Sequence, residues 1–140
     1  MTVLIYLDSN IYIDYLENRS DGLRPLGDFA FNVLKRAFNC EFSIVLSSLV
    51  VEELANNNVE KYAQNLIMHL SELNKLVRVE STKEELKLAR KICRERATCF
   101  NDTLHAIIAN RANAEFFVTR NIKDFVKLQD FVKIIVPESL

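Results

Sequence analysis

Oxygen-bearing side chains stand near the ends of short apolar runs at four places in this chain. Asp8 ends the run Val3–Leu7, and Glu52 and Glu53 follow the run at 42–46. Asp102 opens a helical segment that leads to Phe116–Val118, and Asn121 comes after that run, behind Thr119 and Arg120. Each has a plain use on its own. Asp8 and Asp102 suit helix N-caps, and a Glu pair suits a solvated helix surface. Brought together, they form a cluster of oxygen donors. Clustered carboxylates raise one another's pKa, so the arrangement is costly unless a cation neutralises it. Oxygen donors without His or Cys suit Mg²⁺ or Mn²⁺. Such ions generate hydroxide near neutral pH and neutralise charge on a phosphate in transfer, which is what phosphodiester cleavage needs.

Whether the four places meet depends on the elements that carry them. Strands are expected at Val3–Leu7, 42–46, Leu76–Val79, Phe116–Val118 and 133–136, the last ended by Pro137. Helices are expected at 11–16, from an Asp28 N-cap to about 38, at Ser48–Asn56, at 60–75, from a Thr82 cap to Arg96, at 102–113 and at 123–128. Thr82 with Glu85 has the spacing of a capping box. Residues 18–27 hold both glycines and one of the two prolines, and read as the main loop. Short apolar strands alternating with helices imply an α/β fold, a short central parallel sheet flanked by helices on both faces. In such sheets the functional groups gather beyond the carboxyl ends of the strands. The 140 residues are expected to form one domain, 1–140.

Composition narrows the class. Two Gly and two Pro, where average usage gives about 10 and about 7, exclude collagenous and linker-like sequence. Hydrophobic content of 49% excludes global disorder. No apolar stretch approaches a membrane span, and the N-terminus lacks the basic region of a signal peptide, so a cytoplasmic protein is expected. Cys40, Cys93 and Cys99 form no C-x-x-C pair and read as reduced, mostly core thiols. His69 reads as structural or exposed. His105, three residues after Asp102, reads as a packing group or a partner behind the ligands, with a polar group of the pocket as the alternative.

The net charge of −1 hides segregation. Residues 1–60 carry nine acids and four bases, residues 61–100 five acids and nine bases, and residues 101–140 five of each. Lys87, Arg90, Lys91 and Arg94 recur at helical spacing, beside the apolar stripe of Leu86, Ala89 and Cys93. The plain reading is a solvated face. The functional one is a phosphate-contacting ridge leading toward Asp102, giving salt-dependent and largely sequence-blind affinity. Arg120 is a second candidate for a phosphate contact.

The ordered set Leu7-Asp8-Ser9-Asn10, Ser47-Ser48-Leu49-Val50-Val51-Glu52-Glu53-Leu54, Asn101-Asp102-Thr103-Leu104-His105-Ala106 and Val118-Thr119-Arg120-Asn121 with Asp124-Phe125 resembles PIN-domain proteins. It is most similar to the VapC-type toxins of toxin–antitoxin pairs, over nearly the whole chain. The resemblance implies a PIN-like fold and an Mg²⁺- or Mn²⁺-dependent endoribonuclease that leaves 5′-phosphate and 3′-hydroxyl ends. It assigns Asp8, Glu53, Asp102 and Asn121 to catalysis and to the metal, with Glu52 as the register alternative to Glu53. Asn121 departs from the Asp frequent at that place and removes one negative charge. Asp124 could contribute from the next turn. Ser9, Asn10, Thr119, Arg120, Lys87, Arg90, Lys91 and Arg94 are the candidate substrate residues. An antitoxin partner and a homodimer are implied, and no membrane. A second reading keeps the fold but makes it a catalytically weak or inactive module that binds RNA or protein. A phosphotransferase of the haloacid dehalogenase kind fits poorly, since Asn10 stands where its second Asp belongs.

Overall fold

The strands of the sheet are short, three to six residues each, and mostly apolar. The computed structural model describes residues 3–140. In chain order the elements are β1 (Val3–Leu7), α1 (Ser9–Glu17), α2 (Leu26–Phe38), β2 (Phe42–Ser47), α3 (Ser48–Asn56), α4 (Glu60–Glu72), β3 (Leu76–Val79), α5 (Lys83–Arg96), α6 (Phe100–Arg111), β4 (Phe116–Val118) and β5 (Lys133–Ile135). Two 3-10 segments, Ile122–Leu128 and Pro137–Ser139, flank β5.

The five strands form one parallel sheet in the order β3-β2-β1-β4-β5. Parallel crossovers are right-handed, so the direction of travel decides which face each helix covers. The chain first steps outward from β1 to β2 to β3, which lays α1 to α4 on one face. It then returns past β1 to β4 and β5, which lays α5, α6 and the first 3-10 segment on the other. The contacts follow this division: α1 packs on α2, α3 and α4, while α6 packs on α5 and on the 3-10 segment. The direction reverses at β1, so the crevice beyond its carboxyl end, between β2 and β4, is where such sheets place a site. The edges are less apolar. Exposed Arg78 lies on β3, and exposed Lys133 on β5 sits over the Phe116 ring, which keeps both edges from offering a clean pairing template.

The expected α/β class and all five strands are present, and several boundaries move for local reasons. α2 begins at Leu26, with Pro25 in the N-cap position and Asp28 inside the first turn, so Asp28 is not the cap. Proline has no N–H to leave unpaired at a helix start. α4 ends at Glu72, because Asn74 turns left-handed (φ 57°) and the Lys75 N–H reaches back to the Leu70 carbonyl. α6 begins at Phe100. Cys99 takes its N-cap position, so Asp102 is a first-turn residue and not a cap. The cysteine expectation is corrected as well: Cys40 and Cys99 are exposed and Cys93 partly so, since Cys40 and Cys99 occupy turn and cap positions.

The scarcity of glycine has a structural counterpart. Asn18, Asn58, Asn74 and Asn113 take positive φ at the ends of helices, where glycine is the usual choice. Asn tolerates this region because its short side chain can bond locally. Gly27 is different: a Cβ there would lie 2.5 Å from Asn18 Oδ1 and 2.8 Å from Asn18 Cα, so the close approach of α1's end to α2's start needs glycine.

Candidate active site

Asp8 stands at the N-cap position of α1, but its carboxylate caps nothing. Its Oδ2 accepts instead from Thr119 Oγ1 at 2.9 Å and from Asn10 Nδ2 at 3.1 Å, and its Oδ1 accepts from Ser9 Oγ at 3.4 Å. Thr119 is fully buried and fully used. Its proton goes to Asp8, and its lone pairs take Asn10 Nδ2 (3.1 Å) and the Asn121 N–H (3.2 Å). Ser9, Asn10 and Thr119, expected to meet substrate, thus turn their polar atoms on Asp8. Burial pushes the Asp8 carboxyl above its ordinary range against the Thr119 hydrogen bond, and nearby Glu53 adds to the rise.

Glu53 enters from the second turn of α3, whose start is fixed by Ser47: its hydroxyl accepts from the Val50 N–H at 3.2 Å. Helical phase puts Glu52 out in solvent and turns Glu53 inward. Burial alone would raise the Glu53 carboxyl, but hydrogen bonds from His105 (2.6 Å to Oε1) and Asn101 (3.4 Å to Oε2) outweigh it and hold Glu53 below the ordinary value.

Asp102 lies in the first turn of α6, where the helix dipole favours a negative charge. Burial raises its carboxyl to about 6, and the Asp8 charge is the next largest cause. Asp8 just past β1, Glu53 of α3 and Asp102 of α6 therefore share one electrostatic neighbourhood. Asp8, Glu53 and His105 each offer a donor atom within 4.8 Å of the others. Asp102 is not in this tight group. Asn121 is exposed, and among the described residues its side chain makes no hydrogen bond. Asp124, on the 3-10 segment that Asn121 precedes, is exposed and raises the Asp102 pKa further.

The outlying candidates divide. Lys87, Arg90, Lys91 and Arg94 are all exposed along α5 and line one shallow depression with Glu95. The Arg90 guanidinium sits 6.0 Å from the centre of the Phe100 ring, which joins the ridge to the turn carrying Asp102. Arg120 is not free: its Nη1 lies 2.5 Å from Oδ1 of buried Asp14. The loop before α2 is stapled to the C-terminal region by a two-pronged bond from Arg24 to Glu138 (2.6 and 2.7 Å). His69 is exposed. Sequence reasoning did not single out Tyr6, Ser47 and Asp14, each a buried polar group within or beside an apolar run. That mismatch is the one signal that could have found them, since a buried hydroxyl or carboxylate needs a partner.

The donor set suits a hard divalent cation. A buried carboxylate with a raised pKa, a second carboxylate already ionised and a third titrating at about 6 all lose repulsion when a cation sits among them.

No protein-family model matches the sequence, and no curated protein does. Solved structures do. A chain of VapBC2 from Rickettsia felis, solved bound to a DNA fragment from its promoter, superposes with a TM-score of 0.65 at 22% identity, covering 96% of this chain and 98% of its own. A toxin–antitoxin complex from Klebsiella pneumoniae gives 0.61 at 20% identity over 95% and 97%. VapBC-1 from nontypeable Haemophilus influenzae gives 0.62 at 16% identity over 97% and 99%. The sheet order, the flanking helices and these end-to-end superpositions give the chain the PIN-like α/β fold of the VapC proteins.

Proposed function

We propose that this protein is an Mg²⁺- or Mn²⁺-dependent endoribonuclease, the toxin of a toxin–antitoxin pair. The observation that carries the reading is the acidic neighbourhood beyond the end of β1, where Asp8 and Glu53 bring oxygens within 4.8 Å of each other and the charges of both raise the Asp102 carboxyl. Asp8 and Glu53 would hold the cation, with Asp102 completing the acidic lining and Asn121 assisting from the rim. When bound, the cation supplies water activation and neutralisation of phosphate charge. The chain's own residues do the rest. Thr119, Asn10 and Ser9 hold the Asp8 carboxylate in one orientation. The α5 ridge attracts the backbone of an RNA that the acidic pocket alone would repel. Arg120 reaches phosphate only by leaving Asp14, so its first role is to neutralise that buried carboxylate.

The VapBC and toxin–antitoxin structures support an antitoxin protein as partner. Blocking of the acidic pocket by that partner, and a homodimer, belong to the same reading. The protein is read as cytoplasmic. Among the described residues no helix is long and apolar enough to cross a membrane. The test is purified protein with total RNA in Mn²⁺ or in EDTA, beside Asp8→Ala. Cleavage that needs Mn²⁺ and disappears in the variant is the expected result. RNA bound tightly but left intact in Mn²⁺ favours the alternative, a catalytically weak or inactive RNA-binding module, for which Asn121 is the motive.

A further inference from the structure

Behind each acid a polar side chain runs into the interior: Tyr6 of β1 behind Asp8, His105 of α6 beside Asp102, and Ser47 at the β2–α3 junction ahead of Glu53. The three interior groups meet. Ser47 Oγ lies 2.6 Å from the Tyr6 hydroxyl, which lies 2.6 Å from His105 Nδ1, and His105 Nε2 lies 2.6 Å from Glu53 Oε1. All three are buried, with His105 1% exposed and Ser47 and Tyr6 fully covered.

The two ends of this chain fix its direction. The Val50 backbone N–H can only donate, and it donates to Ser47 Oγ at 3.2 Å. A carboxylate can only accept, so Nε2 carries the proton that meets Glu53. Between them, Ser47 donates to Tyr6 and Tyr6 donates to His105 Nδ1. Every proton then has one acceptor. Reversing the middle of the chain leaves the buried Ser47 proton with none, which is costly.

We infer that the Ser47–Tyr6–His105 chain is a positioning device for Glu53: it fixes Oε1 toward the protein interior and leaves Oε2, which carries only the long 3.4 Å contact from Asn101, for the cation. His105 is on this account a positioning residue and not a ligand, although a ring nitrogen lies within 4.8 Å of oxygens of Asp8 and Glu53. The chain also joins β1, α3 and α6, so the spacing of the acids is set from behind. Outer partners of this kind typically change metal affinity by about 10- to 100-fold when removed.

The inference rests on the cation-dependent reading above, and two measurements separate the two. The first is Mn²⁺ binding, followed by electron paramagnetic resonance, in wild type, Tyr6→Phe, His105→Ala and His105→Gln, with melting temperatures alongside. Tyr6→Phe keeps the ring that stacks on Phe117 at 5.1 Å, so the fold has its packing. Tyr6→Phe and His105→Ala should each weaken Mn²⁺ binding by about tenfold, and His105→Gln, which keeps an N–H donor, should recover much of the loss. Wild-type affinity in Tyr6→Phe overturns the inference, including when His105→Ala binds poorly, since His105 would then be a ligand in its own right. The second measurement needs no cation. Imidazole ¹⁵N resonances of the cation-free protein should show the His105 proton on Nε2. A proton on Nδ1 overturns the inference. Absence of Mn²⁺ binding in the wild type fails the nuclease reading instead, and the ¹⁵N result still decides whether the chain exists.

Discussion

Thr119 donates its hydroxyl proton to Asp8 Oδ2 over 2.9 Å, so the residue just past β4 grips the carboxylate just past β1. The two strands are neighbours, with Leu7 paired to Val118, so this contact spans the point where the sheet reverses direction. Thr119→Val keeps the shape and removes the oxygen. It strips one donor from a buried carboxylate and the acceptor from Asn10 and from the Asn121 N–H. Losses of this kind cost about 2–3 kcal/mol. Thr119→Val should therefore melt earlier than the wild type, with Asp8 titrating higher still, and should cleave RNA more slowly at saturating Mn²⁺. Thr119→Ser, which keeps the hydroxyl, should recover most of the stability. Equal melting of Val and wild type would falsify the hub role of Thr119.

The acids predict an opposed dependence on pH with and without cation. The Asp102 carboxyl is raised to about 6, by burial and then by Asp8. A carboxyl whose folded value lies above its unfolded value favours the fold when protonated. That contribution is full below the unfolded value near 4 and is lost as pH rises through 6. After solvent screening is allowed for, the loss is on the order of 2 kcal/mol. Glu138 and Asp130, whose ion pairs with Arg24 and Arg96 lower their carboxyls, pull the other way, so the readout is a difference. Cation-free Asp102→Asn should gain on the wild type in melting temperature as pH rises from about 4 to about 7. Mn²⁺ should close that gap by stabilising the wild type more at the higher pH. A gap that stays constant with pH would remove Asp102 from the site.

Glu52 and Glu53 show what the sequence could and could not decide. Both follow β2 in a helix whose existence is plain from its Ser caps and apolar spacing. Which of the two faces inward depends on where the first turn begins, and that is set by one hydrogen bond from Val50 N–H to Ser47 Oγ. Glu52 is exposed, whereas Glu53 lies 2.6 Å from His105 and 3.4 Å from Asn101. Glu52→Ala should leave Mn²⁺ binding and RNA cleavage at wild-type levels, and Glu53→Ala should remove both.

The same limit explains the rest. Strand positions and the Thr82–Glu85 capping box are local and were legible, since each depends on residues within a few positions. The partnerships of Tyr6 with His105, or of Asp14 with Arg120, join residues about 100 positions apart, and no local pattern specifies them. A tyrosine within the run Val3–Leu7 reads as a β-former, and only its burial at the sheet's centre makes the hydroxyl a demand. The left-handed asparagines show the converse. Their placement is local, but it follows from helix ends whose positions tertiary packing decides.

The α5 ridge makes a claim about affinity rather than chemistry. Lys87, Arg90, Lys91 and Arg94 are exposed, and none of them takes part in an ion pair with a described acid. Arg96, at the end of the same helix, is committed to Asp130 by two hydrogen bonds and so adds little. If the four free cations meet phosphates, each should contribute about 0.7 to the slope of log affinity against log salt for a single-stranded RNA. Replacing Arg90 and Arg94 with Gln should weaken binding of unrelated RNA sequences by similar factors and lower the slope by about 1.4. Cleavage at saturating RNA should be preserved, because neither residue touches the acids. Binding measured by fluorescence anisotropy across a salt series separates this from a fold defect, which would reduce the amount of active protein without altering the slope. An unchanged slope would return α5 to an ordinary solvated face.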